Sequence, residues 1–411
     1  MKTVFFIFAF ACLMGYTSKA QIAPAFTDSS SSISIGADGQ FQSNAVPHEF
    51  LHPFLFGGFI DQPMKDNAAS YLKADNLLGL EFGGSLKFNS GIKQNLLGFS
   101  KAFWGLEIGT RFLSFSNYSS DLFNLAFYGN NPYVGENMAL GGGRTNTLWF
   151  HEISLAGGFQ SEGFGPFDRF ELLLQPSFYL GIQNIEAQLE KADLLTETNG
   201  EFINIDFKGS YSISDTTSDP FQFNGFGGGL DFEVKTNIGK SFLALSVQDL
   251  GVISFKNQFN YELDSAFTFN GYYIEDIFNI KDSLTDIASV QDSLLNAQEG
   301  SNTVFLPFRI GLYFEIPLVN NINWGTFVQY RLIPEYLPFV QTRIKYQTSD
   351  ELFYAALSGA YGGYGGFQAG IHLGLNLSGV SIELGTSNFL GFVSMKTQRS
   401  QGVYAQLAYH F

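Results

Sequence analysis

The feature that most constrains this chain is an alternation of apolar and polar residues that recurs along most of its length. The clearest example runs from Val304 to Ile316, where every second residue is apolar and Arg309, Gly311 and Glu315 stand between. Successive side chains of a strand point to opposite faces, so this pattern predicts a strand with one wholly apolar face and one mixed face. Similar segments lie at 78–88, 104–112, 170–180, 203–208, 230–235, 324–332, 340–346, 367–376, 380–385 and 403–411.

Several of these strands are longer than is usual in a soluble protein. Soluble strands average ~5–6 residues, whereas a strand that crosses a membrane at a tilt needs ~9–11. Short turns at 319–321, 348–350 and 377–379 join neighbouring strands, while other connections are long, as in outer-membrane barrels. We therefore predict an all-β fold, a transmembrane antiparallel β-barrel of about 14 strands over residues 76–411.

The composition agrees with a barrel in lipid. Aromatic residues make up 17% of the chain and charged residues 15%, below the ~25% typical of soluble domains. Aromatic residues form the girdles of such barrels at the two membrane interfaces. The formal net charge of −16 opposes binding to nucleic acid, which we exclude as a partner.

The N-terminus predicts export. Lys2 precedes an apolar run from Val4 to Met14, and small residues end at Ala20, so residues 1–20 have the layout of a signal peptide. The chain's one cysteine, Cys12, lies inside this segment, so the mature protein needs no disulfide. Together with the strand pattern, this predicts the bacterial outer membrane as location and its lipid as a partner.

The C-terminus has the pattern that barrel-assembly machinery recognises in outer-membrane proteins. The last strand ends on Phe411, with the aromatic Tyr409 two residues before it. We predict these two residues as the barrel-assembly signal. The alternative is an edge strand that ends in phenylalanine by chance.

Two segments do not fit the wall pattern. Residues 21–75 are predicted to form an N-terminal plug or cap, with a short helix from Pro47 to Phe56 that ends at Gly57. As a plug this segment would enter the barrel; as a cap it would cover one end. Its phenylalanines are the ligand or gate candidates: Phe50, Phe54, Phe56 and Phe59. Residues 272–300 are predicted as a helical loop insertion.

One catalytic pattern occurs and is set aside. His48, Glu49 and His52 have the spacing of a helical zinc-protease motif, in which both histidines bind the metal. Pro47 and Pro53 bracket the segment, however, and no third ligand follows nearby. We predict no metal, no cofactor and no enzymatic activity.

Charged residues on the mixed faces of the strands are predicted to line the lumen. The candidates are Arg309, Arg331, Arg343, Lys345, Glu315 and Glu383. They would either pair across the lumen and stabilise the barrel or form a selective conduit lined by basic residues.

With these segments placed, the chain resembles an uncharacterised family of Bacteroidetes outer-membrane β-barrels. The resemblance is carried by the stretches 49–61 and 243–251, with Lys65 and Asp66 following the first. Members of that family are similar in layout to the long-chain fatty-acid channel barrels, which have fourteen strands and an N-terminal hatch. In the first stretch, relatives often carry Asn where His48 and His52 stand, which would make the zinc pattern incidental.

Two functions are consistent with these observations. The first is passive transport of hydrophobic or amphipathic small molecules, which the aromatic content and the resemblance favour. The second is a non-transporting scaffold that docks secretion or surface-assembly partners, which the long acidic loops favour. A continuous pore would support transport and a filled interior would support the scaffold.

Overall fold

The alternating segments form the wall of a closed antiparallel β-barrel. A computed structural model describes residues 27, 30–92, 101–214, 221–269 and 298–411. The predicted signal peptide, most of the predicted loop insertion and residues 21–26 and 28–29 lie outside the described residues. Within the described ranges, no helix has both the length and the hydropathy needed to cross a bilayer.

The described residues contain seventeen strands and four α-helices. The strands are β1 (Ser32–Ser43), β2 (Asp75–Ile92), β3 (Lys101–Ser119), β4 (Asn137–Ala139), β5 (Gly143–Phe164), β6 (Phe167–Thr196), β7 (Ile203–Ser214), β8 (Gly225–Ile238), β9 (Ser241–Phe269), β10 (Gln298–Phe305), β11 (Arg309–Val319), β12 (Ile322–Arg331), β13 (Leu337–Gln347), β14 (Phe353–Gly363), β15 (Gly365–Leu377), β16 (Val380–Thr386) and β17 (Ser400–His410). The helices are α1 (His48–Phe56), α2 (Gln62–Ser70), α3 (Ser120–Tyr128) and α4 (Leu390–Val393), and a 3₁₀ turn covers Asn131–Tyr133.

Fourteen of the strands form the ring, which confirms the predicted fold class. They are β1, β2, β3, β5, β6, β8, β9 and β11 to β17, each paired with its neighbours. The ring closes because β1 pairs with both β2 and β17, with Ser32 opposite Asn89 on one side and His410 on the other. Closure leaves no strand edge in lipid, where unpaired peptide groups would be costly.

The three remaining strands extend the wall at one end. β4, β7 and β10 continue the lines of β5, β8 and β11, and pair with the long strands β6 and β9. The result is a ribbon of paired strands that projects beyond the ring on one side. The strands β6 and β9 span 30 and 29 residues, but only their lower parts pair with strands of the ring. Their upper parts pair with β4, β7 and β10, so the ring is shorter along the barrel axis than these two strands.

The two ends of the barrel differ. The start of β1, the C-terminus and the turns at 165–166, 239–240, 320–321 and 378–379 share one end, here the short-turn end. There the amide of His410 donates to the carbonyl oxygen of Gly379, and that of Phe411 donates to the carbonyl oxygen of Ser31. The opposite end, the long-connection end, carries all four helices. In outer-membrane barrels the short turns face the periplasm.

The outer face of the ring is a belt of exposed apolar side chains. It includes Leu86, Ile108, Leu155, Leu174, Phe178, Leu245, Leu312, Ile344, Leu357, Leu384 and Leu407. Aromatic pairs flank the belt, such as Phe88 with Trp104 toward the short-turn end and Phe82 with Phe112 toward the other. A closed ring with this surface is a transmembrane barrel, and the protein belongs in the bacterial outer membrane.

The predicted wall boundary at residue 76 is wrong, because β1 already belongs to the ring. Its alternation is obscured by Gly36 and Gly39, which occupy both faces of the strand. Residues 44–74 consequently form the connection between β1 and β2 at the long-connection end, and do not precede the barrel.

The predicted single strand from Val304 to Ile316 is also wrong in one respect. It breaks between β10 and β11 at Pro307, which has no N–H for the ladder. The break reverses the faces: Val304 and Leu306 are buried, whereas Ile310 and Leu312 are exposed on the outer belt.

Candidate functional site in the barrel lumen

The lumen holds a cavity of about 270 Å³ between the short-turn end and the middle of the barrel. One part of its lining is charged or amide-bearing: Lys87, Glu107, Gln175, Asp231, Glu233, Lys235, Gln248, Arg309, Gln329, Gln341 and Arg343. Leu173, Phe327, Tyr313, Ala156 and Ala244 supply apolar surface. The cavity can therefore accommodate a small molecule with both polar and apolar parts.

A layer of buried ion pairs lies directly beyond this cavity, and Asp249 is at its centre. A β-bulge opposite Leu230 and Phe232 shifts the register of β9, and Asp249 has a φ of 62°, a conformation that aspartate tolerates. The bulge brings two consecutive residues to the lumen side, with Gln248 lining the cavity and Asp249 buried in the layer.

Two arginines from opposite parts of the wall share the Asp249 carboxylate. Arg111 of β3 donates from Nη2 to Oδ2 at 2.8 Å, and Nη2 of Arg309 on β11 lies 2.9 Å from the same oxygen. The backbone N–H of Asp249 donates to Asp231 Oδ1 at 2.8 Å. Because β3 and β11 belong to separate parts of the ring, these contacts join the wall across the lumen.

Further pairs widen the layer. Arg331 of β12 is ion-paired with Glu81 of β2, and its Nε donates to the carbonyl oxygen of Pro307 at 3.3 Å. Glu152 of β5 lies 3.5 Å from Arg111. Removing one partner from a buried pair typically costs ~3–5 kcal/mol, so this layer is held firmly as long as every member is present.

An apolar layer covers the ion pairs on the side of the long connections. It consists of Leu113, Leu148, Phe150, Tyr179, Ile253, Phe255, Val304 and Leu306, all buried. Two aromatic rings in it lie against glycines of the wall. A Cβ on Gly181 would come within 2.7 Å of Phe255, and a Cβ on Gly229 would come within 2.4 Å of Tyr179. Glycine at these positions lets the rings pack closely and fill the lumen.

The short-turn side of the cavity is bounded by a polar cluster around Glu171. Thr27 donates to both carboxylate oxygens of Glu171, from its N–H and from Oγ1, each at 2.8 Å. Gln160 bonds the Thr27 carbonyl at 2.5 Å, and Lys235 lies 3.0 Å from Glu171. Thr27 precedes β1, so at least this point of the N-terminal segment lies inside the barrel.

The charged residues predicted for the lumen all face it. Arg309 and Arg331 belong to the ion-pair layer. Arg343 and Lys345 lie 3.6 and 3.7 Å from the carboxylate of Glu315, closer to the short-turn end. Glu383 is partly buried nearby and hydrogen-bonds Tyr354. In this structure the basic residues are ion-paired and do not form an unpaired basic lining.

The four predicted gate phenylalanines do not reach the lumen. Phe50 packs beside Phe41, and Phe56 lies against the same cluster. Phe41 is on the outward face of β1, as shown by Ile33 and Ile35 of the same face. Phe54 and Phe59 are exposed. The sequence predicted the helix within one residue, but an amphipathic pattern does not indicate on which side of a wall the helix packs.

The zinc-protease pattern has a structural explanation. The ring of His48 packs edge-on against Phe41 at 4.8 Å and hydrogen-bonds the side chain of Gln401. Across the part of the chain that the structure describes, no three His, Cys, Asp or Glu side chains are grouped to hold a metal ion.

The predicted assembly signal lies at the end of the closing strand. Tyr409 pairs with Ile33 of β1 and with Val380 of β16, and its ring stacks on Phe411 at 5.9 Å. Both side chains are exposed on the outer face. Their recognition by the assembly machinery stays a prediction.

Sequence reasoning did not single out Asp249 as part of a lumen site. Strict alternation along β9 would place the Asp249 side chain on the outer face of the barrel. A β-bulge is needed to turn it to the lumen side. The sequence signal for such a bulge is the pair Gln248 and Asp249. Two consecutive polar residues there interrupt the alternation of apolar and polar positions, and Gly251 follows shortly after.

Comparison with known proteins finds similar solved structures at low sequence identity. Among solved structures, the TodX deltaS2S3 mutant monoaromatic hydrocarbon channel has a TM-score of 0.43 and 9% identity, over 97% of this chain and 95% of that chain. The Pseudomonas putida toluene transporter TodX has a TM-score of 0.41 and 8% identity, over 96% and 94%. A Pseudomonas aeruginosa FadL homologue has a TM-score of 0.41 and 8% identity, over 93% of this chain and 89% of that chain.

No curated protein matches the chain. The model of one family, described as a family of unknown function (DUF5723), matches residues 24–387. That range includes β1, the lumen cavity and every member of the ion-pair layer. The chain belongs to the DUF5723 family.

Proposed function

We propose that the protein is a gated outer-membrane channel for small amphipathic molecules, described here in its closed conformation. The observation that carries the proposal is the 270 Å³ cavity, which lies inside the barrel and adjoins the ion-pair layer. A barrel that acts only as a scaffold has no need for an internal cavity with this mixed lining.

The order of the layers suits a molecule with an acidic head and an apolar tail. The apolar layer lies toward the long connections, the arginines lie in the middle, and the polar cavity lies beyond them. Arg309 contacts both Asp249 and the cavity, so a ligand carboxylate or sulfonate can compete with Asp249 for the same guanidinium. Exchange of partners would open the layer without leaving a buried charge unpaired.

The experiment is uptake of a fluorescent alkylsulfonate into proteoliposomes. The permanent charge prevents the probe from crossing protein-free bilayers, so flux reports the protein. We expect measurable uptake with the wild-type chain and faster uptake with Asp249→Asn, which weakens both arginine contacts while keeping the side chain's size. Asp264→Asn, an exposed change on β9, is the matched control and should behave like wild type.

Folding of each variant is checked by its resistance to unfolding in cold SDS. Uptake no greater than in protein-free liposomes, for wild type and for Asp249→Asn alike, would refute the channel. So would equal rates for the Asp249 and Asp264 variants.

A scaffold remains the second candidate, and the filled middle of the lumen favours it. The ribbon of β6, β7, β9 and β10 would supply the docking surface, since it projects beyond the ring. Crosslinking in intact cells from positions on β7 should then recover one defined envelope protein. Recovery of such a partner together with absence of flux would decide for the scaffold.

A further inference from the structure

One stretch of the outer wall, around Phe41 of β1, is covered by protein. On β1, Ile33 is 45% exposed, whereas Phe41 on the same face is only 6% exposed. No register shift separates them in the pairing with β2 or with β17, so both side chains point outward. Something on the outside of the barrel therefore covers Phe41.

The cover is built from helices of the long connections. α1 packs its Phe50 and Leu51 into a cluster with Phe41, and outward residues Leu78 and Leu80 of β2 pack against the same cluster. The segment 388–398, which contains α4, joins from the other side: the N–H of Glu49 donates to the Met395 carbonyl at 3.0 Å. We refer to residues 48–70, which contain α1, α2 and the turn between them, and residues 388–398 together as the collar.

The height of the collar follows from strand register. Val403, Phe82, Phe112 and Trp149 lie in one row across β17, β2, β3 and β5 and form the upper edge of the apolar belt. The next row holds Gln401, Phe41, Leu80, Ser114 and Thr147, and Ser114 hydrogen-bonds Thr147 at 2.8 Å. From this row upward, the outer face of β3 and β5 carries consecutive polar pairs, Ser114 with Thr147 and Ser116 with Thr145, and we place the membrane–water interface here.

The collar exposes large apolar side chains at that interface. Phe59 is 85% exposed and Val393 is 77% exposed, and Phe54, Phe392 and Met395 are also exposed. Burying a side chain of this size is worth ~1.5–3 kcal/mol, so a group of five in water is unfavourable. Lys73, three residues after α2, and Lys396 of the collar are exposed as well.

We propose that the collar is an interfacial membrane anchor whose partner is the outer leaflet of the bilayer. The apolar side chains enter the acyl-chain boundary, and the lysines extend to the anionic headgroups. Continuity with the lipid-facing belt immediately below identifies lipid, and not a protein, as the occupant. The proposal is independent of transport, and it explains why phenylalanines of this segment are exposed.

Site-directed spin labelling tests the proposal on the full mature chain. The chain's one cysteine, Cys12, lies in the predicted signal peptide, so a chain that begins at residue 21 has no cysteine. Single cysteines can therefore be introduced and labelled without background. Labels are placed by Phe59→Cys and Val393→Cys, in vesicles of phosphatidylcholine with a minority of phosphatidylglycerol. Leu357→Cys in the middle of the belt and Ala266→Cys on the exposed face of β9 are the references.

Collision rates with oxygen and with a water-soluble nickel complex report the depth of each label. We expect the oxygen-to-nickel ratio at 59 and 393 to be several-fold above that at 266 and below that at 357. A ratio equal to that at 266 would overturn the proposal. Shielding from both colliders would overturn it too, because a second copy of the chain or another protein would then cover the collar. Cold-SDS resistance shows that each variant is folded.

Discussion

At the scale of single residues, the lumen depends on a few side chains that contact several strands at once. Asp249 is the clearest case, since its carboxylate accepts from Arg111 and Arg309 while its backbone donates to Asp231. A buried ion pair adds little net stability compared with apolar residues, but the loss of one partner leaves the others uncompensated. Substitutions in this layer should therefore be more damaging than substitutions of the exposed charges.

Asp249→Asn tests this expectation through stability. The amide removes the charge shared by Arg111 and Arg309, and we expect the free energy of unfolding to fall by about 3–5 kcal/mol. Urea unfolding in lipid vesicles, followed by tryptophan fluorescence, measures the change. Asp264→Asn should lie within ~0.5 kcal/mol of wild type. Coincident unfolding curves for the two variants would show that the charge of Asp249 does not stabilise the barrel.

A glycine pair offers a second test with a matched control. A Cβ on Gly229 would lie 2.4 Å from Oη of the buried Tyr179, whereas the nearest atom to a Cβ on Gly228 is 3.5 Å away. Gly229→Ala should therefore cost about 1–3 kcal/mol through overpacking, and Gly228→Ala should cost much less. The same unfolding assay compares them. Equal costs would mean that Tyr179 moves freely and that the apolar layer is loosely packed.

At the scale of elements, alternation was a sufficient guide wherever the strand is regular. The turns at 319–321, 348–350 and 377–379 were predicted from the sequence because short polar segments separate clear alternating runs. The alternation at 32–35 indicated only a short strand that ends at Gly36, and β1 was not assigned to the wall because glycines on both of its faces remove the contrast between them. The break at Pro307 and the bulge at Asp249 each exchange inward and outward positions, and such exchanges depend on pairing with strands distant in sequence.

The outward and inward faces of the strands lead to a prediction about insertion. Leu357 is 65% exposed in the middle of β14, on the lipid-facing belt. Arginine there should destabilise the inserted barrel by about 2–4 kcal/mol. Ala266→Arg, on the exposed face of the projecting β9, should be tolerated because that part of the strand lies beyond the ring. Folding yield into vesicles measures the difference, and equal yields would place β14 outside the membrane.

At the scale of the whole molecule, the barrel is a closed ring whose interior is divided. The lumen is open enough for a cavity on the short-turn side and is filled by the ion-pair and apolar layers in the middle. The sequence predicted the ring and the charges inside it from local patterns. It did not predict the division of the lumen, since this arises from side chains that meet across the barrel from strands more than a hundred residues apart, such as Arg111 and Asp249.

Conductance across a planar bilayer tests the closed, gated lumen most directly. The wild-type chain should insert and show no sustained ion current, because the layer around Asp249 blocks the lumen. Asp249→Asn should show discrete current steps, and Asp264→Asn should remain silent. Sustained current through the wild-type barrel, or the same silence from the Asp249 variant as from the control, would contradict the account.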